Sequence, residues 1–355
     1  MVQLYGRSWT QRELLAHVGR ISQAGGVRLV ELGDGNARAV RAAEFQTGTG
    51  LVFEVLLDRG MDIAAAKYGG ASLSWQATPG PVAPTYFERE GLGWLRTFHG
   101  GLVATCGMTY AGAPTVDEGE ALGLHGRIGH IPAESVWADG GWRGDEYEMW
   151  VRGRMRETVV FGENLTLTRR ISANLGESRL FVRDIVVNEG FQTTPHMMLY
   201  HCNFGFPLLA EGAELLTPAR TVTPRDDVAA AGLDVHARFE APIEGYDEQC
   251  FYHDMQADED GYVTAMLLNR AYDGGKGLGI YLKYRQAELP CFTQWKMVCA
   301  GTYVTGLEPA NCFVEGRDKD RERGILQFLE PGERREYRIE IGVLDGHDAI
   351  DAMMP

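Results

Sequence analysis

The chain has 355 residues and a formal net charge of −15, from 49 acidic and 34 basic side chains. That acid excess repels phosphate backbones and argues against nucleic acid as a partner. Hydrophobic residues make up 45% of the chain and charged residues 23%, enough core material and too little charge for a globally disordered protein.

The first twenty residues carry Arg7, Arg12 and Glu13 and no apolar segment, so no secretory leader is expected. Thr10 reads as the cap of a short helix over Gln11 to Val18, with Glu13 at the capping-box position. Residues 1–45 read as a lead-in element packed on the rest. Beyond them short apolar runs alternate with Gly, Pro, Asn and Asp, the pattern of many strands joined by turns. Asn164 to Ile171, Leu180 to Val187, Gly277 to Tyr284 and Tyr337 to Val343 follow the period of two of half-buried strands. The stretch Glu211 to Gly245 has fewer clean strands and reads as a surface excursion. A short helical turn is expected after Asp345. No βαβ alternation appears, so the expected fold is all-β, a large antiparallel sandwich in one domain spanning 1–355. No apolar run approaches the roughly 20 residues of a membrane helix. The six cysteines show no CxxC spacing and read as reduced thiols of a cytoplasmic protein.

Four segments carry candidate chemistry. Gly123-Leu-His-Gly126 places His125 between glycines, where backbone can approach a ligand, and Arg127 follows with five donors. Tyr200-His-Cys-Asn203 puts His201 at the end of an apolar strand, with Asn203 on the same face. An imidazole on a rigid strand suits proton transfer near neutral pH. Gly306-Leu-Glu-Pro309 holds Glu308 extended at a strand exit, where partial burial would raise its pKa. Leu57-Asp-Arg-Gly60 offers Arg59 as a hydroxyl donor. Weaker candidates are His99, before Gly100-Gly101, and the run Gln294, Trp295 and Lys296, in which the tryptophan could stack on a sugar. Taken singly, each has a bland alternative: a turn histidine, a core histidine, a turn glutamate, a hairpin salt bridge. A metal held by His99, His125, His130 and His201 is disfavoured, because no HxH or HxxxH pair occurs.

Taken in order from about Val52 to Val343, these segments resemble the aldose 1-epimerase, or galactose mutarotase-like, superfamily. The resemblance implies a cofactor-free isomerase acting on a small carbohydrate. It makes Glu308 the base, His201 the acid and His125 a polarising ligand. It implies sugar-binding roles for Arg59, Asp247 and Gln294, with Asp247 matched through Tyr246-Asp247 before Phe251; His99, Arg127, Asn203, Trp295 and Lys296 are expected beside them from the residues themselves. This sequence departs from the family in carrying Asp58 beside Arg59 and Phe204-Gly-Phe-Pro207 after the second histidine. Anomer exchange needs one base for the anomeric hydroxyl and one acid for the ring oxygen, on opposite sides of the ring. A neighbouring carboxylate is expected to favour the charged imidazole, giving a bell-shaped pH profile. Two alternatives use the same sandwich: isomerisation or lyase chemistry on a ketose or modified sugar, and non-catalytic carbohydrate binding. A homodimer is the default assembly for a soluble enzyme.

Overall fold

A computed structural model describes residues 1–354. Successive side chains of an extended chain face opposite ways, and the long strands obey this closely: Glu146–Thr158 alternates buried and open positions along nearly its whole length. Eight such strands form one antiparallel sheet, in the order Glu134–Arg143, Glu146–Thr158, Asn164–Asn174, Arg179–Asn188, Arg334–Asp345, Leu278–Arg285, Tyr262–Asn269 and Glu214–Leu216. The four strands expected from alternation all lie in it.

A second sheet runs Ala219–Pro224, Gln249–Met255, Cys291–Cys299, Thr302–Ala310, Thr194–Gly205 and Gln327–Leu329, and Ala104–Met108 also pairs with Thr194–Gly205. The two sheets share one continuous core. Val151, Leu167, Val182 and Ile339 from the first meet Tyr200, Phe204, Phe292 and Leu307 from the second. The Tyr284 and Phe292 rings stack across the interface at 6.2 Å. A third, five-stranded sheet runs from Gly26–Glu31 to Ala71–Ser72 and adds the stacked pair Phe45 and Phe53 to that core. The segment read as a lead-in thus supplies two strands, Gly26–Glu31 and Arg41–Gln46, to this sheet.

Helices are short. Gln11–Leu15 carries the full Thr10/Glu13 capping box, and its length of five residues is less than the eight expected. His347–Met353 follows Asp345. None of the helices among the described residues is long and apolar enough to cross a membrane. The excursion is partly structured: Glu214–Leu216 and Ala219–Pro224 join the two large sheets, and Asp227–Ala231 is helical. All six cysteines are unpaired, four of them buried.

Candidate active site

The site lies on one face of the second sheet. In antiparallel pairing, directly opposed residues point the same way. The register that sets Leu199 against Ala310 and Cys202 against Leu307 opposes His201 to Glu308. Neither residue ends its strand, as the sequence suggested; both sit inside, within Thr194–Gly205 and Thr302–Ala310. His201 Nε2 lies 3.2 Å from Glu308 Oε1. Two residues before Glu308 on the same strand and opposite Asn203, Gly306 leaves the space they need: a Cβ there would fall 2.5 Å from Glu308 Oε1 and 3.1 Å from His201 Cε1.

Both groups are almost wholly buried, at 6% and 2% exposure. Burial pushes Glu308 up to about 8, assisted by Glu248 and opposed by Arg225. Burial pushes His201 down to about 4, against the hydrogen-bonding influence of the Asn203 amide. Both shifts run against the imidazolium–carboxylate pair expected from the residue types. Desolvation is the largest influence on both groups and drives each towards its neutral form. His201 Nδ1 and Asn203 Oδ1 are both buried without a hydrogen-bond partner of good geometry. Asn203 Nδ2 donates to the carbonyls of His201 at 2.9 Å and Gly100 at 3.3 Å. Asn203 is thus a positioning residue behind His201, not a wall of the cleft.

His125 completes the polar set. Its ring meets His201 edge-on at 5.6 Å. Gly112 N–H donates to its Nδ1 at 3.4 Å, which leaves Nε2–H free to donate outward. Burial holds its pKa down at about 3, with His201 adding to the effect. The flanking glycines serve the protein backbone and not a ligand. A Cβ on Gly123 would collide with Arg89 O, and one on Gly126 with Tyr110 O and Gly107 O. The tight loop also holds His125 itself at φ +58°.

These three residues line a cleft of about 600 Å³ together with Trp295, Arg225 and Glu248. Glu248 accepts from Trp295 Nε1 at 3.0 Å and from Arg225 Nη2 at 3.3 Å. Trp75, Trp94 and Phe98 close the apolar side. No signal in the sequence separated these aromatics from core residues, because Trp75 and the Trp94–Phe98 segment meet only in the folded chain.

Other expected ligands lie elsewhere. Arg59 is buried and donates to the carbonyls of Gly129, Val82 and Thr97 at 2.7, 2.7 and 3.0 Å, stapling three loops. His99 is buried beside it and held neutral by desolvation, then by Arg59. Arg127 faces Glu120 and Glu157, at 3.4 and 3.7 Å, in a separate hollow behind the His125 loop. Asp247 is exposed and its neighbour Glu248 takes the cleft position, just before the strand Gln249–Met255. Gln294 and Lys296 point to the opposite face from Trp295, since one step along a strand reverses the side. Gln294 meets His253 and the His236 carbonyl, and Lys296 donates to Val235 O and Arg238 O at 2.9 and 2.6 Å.

Comparison with known proteins agrees with this architecture. Residues 37–343 match the profile of a domain of unknown function, DUF4432. The chain belongs to the DUF4432 family. A search of curated proteins gives no significant match. Among solved structures, this DUF4432 chain is similar to a candidate aldose 1-epimerase from Klebsiella pneumoniae. The TM-score is 0.86 at 26% identity, over 92% of this chain and 85% of that one. A galactose mutarotase-like protein from Clostridium acetobutylicum gives 0.61 at 13% identity, over 91% and 99%. Galactose 1-epimerase from Lactobacillus acidophilus gives 0.58 at 14% identity, over 91% and 100%. The DUF4432 chain has the galactose mutarotase-like sandwich fold.

Proposed function

We propose that the protein is an isomerase of the aldose 1-epimerase kind, interconverting the anomers of a small carbohydrate by acid/base ring opening. The observation that carries this reading is the buried His201–Glu308 pair, two titratable groups 3.2 Å apart beside an open cleft. A pure binding protein has no need of such a pair, since desolvating two titratable groups is costly without a use for their protons. The structural similarity to the Klebsiella and Lactobacillus proteins supports the same class of reaction.

The geometry modifies the expected chemistry. Groups in direct contact cannot stand on opposite sides of a sugar ring. They can address the anomeric and ring oxygens from one side, because those oxygens are bonded to the same carbon. In the productive form the Glu308 carboxylate takes the anomeric hydroxyl proton while the His201 imidazolium gives a proton to the ring oxygen. The C1–O5 bond breaks, C1 becomes the aldehyde carbon and rotates, and reclosure reverses both transfers. The resting neutral pair reaches that form by moving one proton across the 3.2 Å gap. His125 Nε2–H orients the substrate. Each positioned group contributes about 10²–10⁴-fold.

The test is NMR anomer exchange across aldoses, ketoses and uronates with purified protein. Exchange of at least one class above the uncatalysed rate is expected, and exchange of none would overturn the reading.

A further inference from the structure

The substrate class follows from what the cleft offers beyond its proton-transfer pair. Six aromatic and imidazole rings close on one another around it. Trp75 meets Phe98 at 5.9 Å, Phe98 meets Trp94 at 4.4 Å, and Trp94 meets His125 at 4.8 Å. His125 meets His201 at 5.6 Å, His201 meets Trp295 at 5.4 Å, and Trp295 returns to Trp75 at 6.1 Å. All six line the cleft. At its rim stand Leu92 and Leu95, exposed at 60% and 48%, with Pro79 and Pro114.

Hydroxyl partners are few by comparison. Arg59, Gln294 and Lys296 are occupied by protein groups away from the cleft. Trp295 Nε1 is taken by Glu248, and His125 Nδ1 by Gly112. Arg225 is engaged by Glu248, Asp226 and Cys250 Sγ. Outside the reacting pair there remain His125 Nε2, the rim pair Arg225 and Glu248, and the threonines Thr78 and Thr302. A hydroxyl on the ring edge that faces Trp75, Phe98, Leu92 and Leu95 would be buried there without a side-chain partner, which is unfavourable. A ring face of C–H groups pays no such penalty and packs well on aromatic surfaces.

We propose that the cleft selects a deoxy sugar, a pyranose in which one or more hydroxyls are replaced by hydrogen. This rests on the proposed function for the identity of the site, but it predicts something that function does not: a preference between sugars that all possess an anomeric centre.

The test uses the full chain and matched pairs: D-glucose with 6-deoxy-D-glucose, D-galactose with D-fucose, D-mannose with D-rhamnose, and D-glucose with 2-deoxy-D-glucose. Dissociation constants come from tryptophan fluorescence, which the three cleft tryptophans make a direct reporter. Anomer exchange is measured separately by two-dimensional NMR. In at least one pair the deoxy member is expected to bind roughly 10- to 100-fold more tightly than its parent. Equal or tighter binding of the parent in every pair overturns the proposal, as does the lack of saturable binding by any deoxy sugar. A binding preference without exchange in any pair sustains the proposal and overturns the isomerase reading. Exchange with equal binding does the reverse.

Discussion

One strand, Thr194–Gly205, carries two buried polar clusters on its two faces, and they differ in how far their hydrogen bonds are met. Tyr200 points into the core. Its hydroxyl donates to Asp184 Oδ2 at 2.6 Å, and Arg169 grips the same carboxylate through two bonds of 2.9 and 2.6 Å. Arg169 also reaches Gly60 O and Thr105 Oγ1, and Asp62 takes the Thr105 amide. Burial opposes the charge on Arg169, but Asp184 outweighs it and the net shift is upward. His201, one residue on, faces the cleft. There His201 Nδ1 and Glu308 Oε1 lack hydrogen-bond partners of good geometry, and both groups are driven towards neutrality. Satisfied charge is a staple; unsatisfied, titratable groups beside a cleft are available for chemistry.

The sharpest way to break this contrast is Glu308→Gln. Anomer exchange should fall about 10²–10⁴-fold while sugar binding, followed by fluorescence, changes little. Stability should move in the opposite sense. The pKa of Glu308 is raised on folding, so its contribution is fully present below the ordinary glutamate range and is lost as pH rises through about 8. The variant lacks that loss, and its Tm relative to wild type should climb across this interval. Near wild-type turnover in Glu308→Gln would remove the carboxylate from the mechanism.

Arg169→Met addresses the other face. It leaves Asp184 and Tyr200 buried without their cation, and a broken buried pair costs about 3–5 kcal/mol. Urea unfolding should show that loss. A loss under 1 kcal/mol would mean that the core-facing cluster is not the staple its bonding implies.

The pH profile comes next, with tenfold changes per unit on each limb. The pair is competent while it holds one proton. It gains a second as pH falls through about 4 on His201, and loses its only proton as pH rises through about 8 on Glu308. Plots of kcat/KM should therefore be bell-shaped with a broad top between those values. Because the His201 pKa is lowered on folding, its contribution to stability also disappears as pH falls from the ordinary histidine range through about 4. A narrow maximum between the ordinary glutamate and histidine ranges would mean that burial shifts neither group.

Much of this was legible in the sequence, and the limits have a physical pattern. Alternation announced the strands around Asn164, Leu180, Gly277 and Tyr337, because a two-residue period is a local property. The order of the His125, His201 and Glu308 segments pointed to residues that the fold brings together. Which neighbour of a site residue faces the cleft was not legible where register was uncertain by one residue: Glu248 stands where Asp247 was expected. Arg59 looked like a free donor because sequence does not display the three carbonyls that hold it. The direction in which His201 and Glu308 are shifted was not legible for a related cause. Attraction between a carboxylate and an imidazole is visible from residue types, whereas the depth of burial that overrides it belongs to the assembled sheets.

The smallest expected effect on activity separates the two faces of the strand Cys291–Cys299. Trp295 lies in the cleft, whereas Lys296 points behind it and holds Val235 O, Arg238 O and Glu240 Oε2. The Val235 carbonyl ends the helical turn Leu233–Val235, and the Arg238 carbonyl lies just beyond it, so the ammonium meets two acceptors of one connecting segment. Lys296→Met should lose roughly 1–3 kcal/mol of stability as buried acceptors go unpaired. It should leave KM within a few-fold of wild type, because no sugar contact is removed. A tenfold rise in KM with unchanged stability would place Lys296 among the sugar ligands and show that the clamp on the 227–240 segment is dispensable. Loss of stability with KM intact would show that one strand serves catalysis on one face and anchorage on the other.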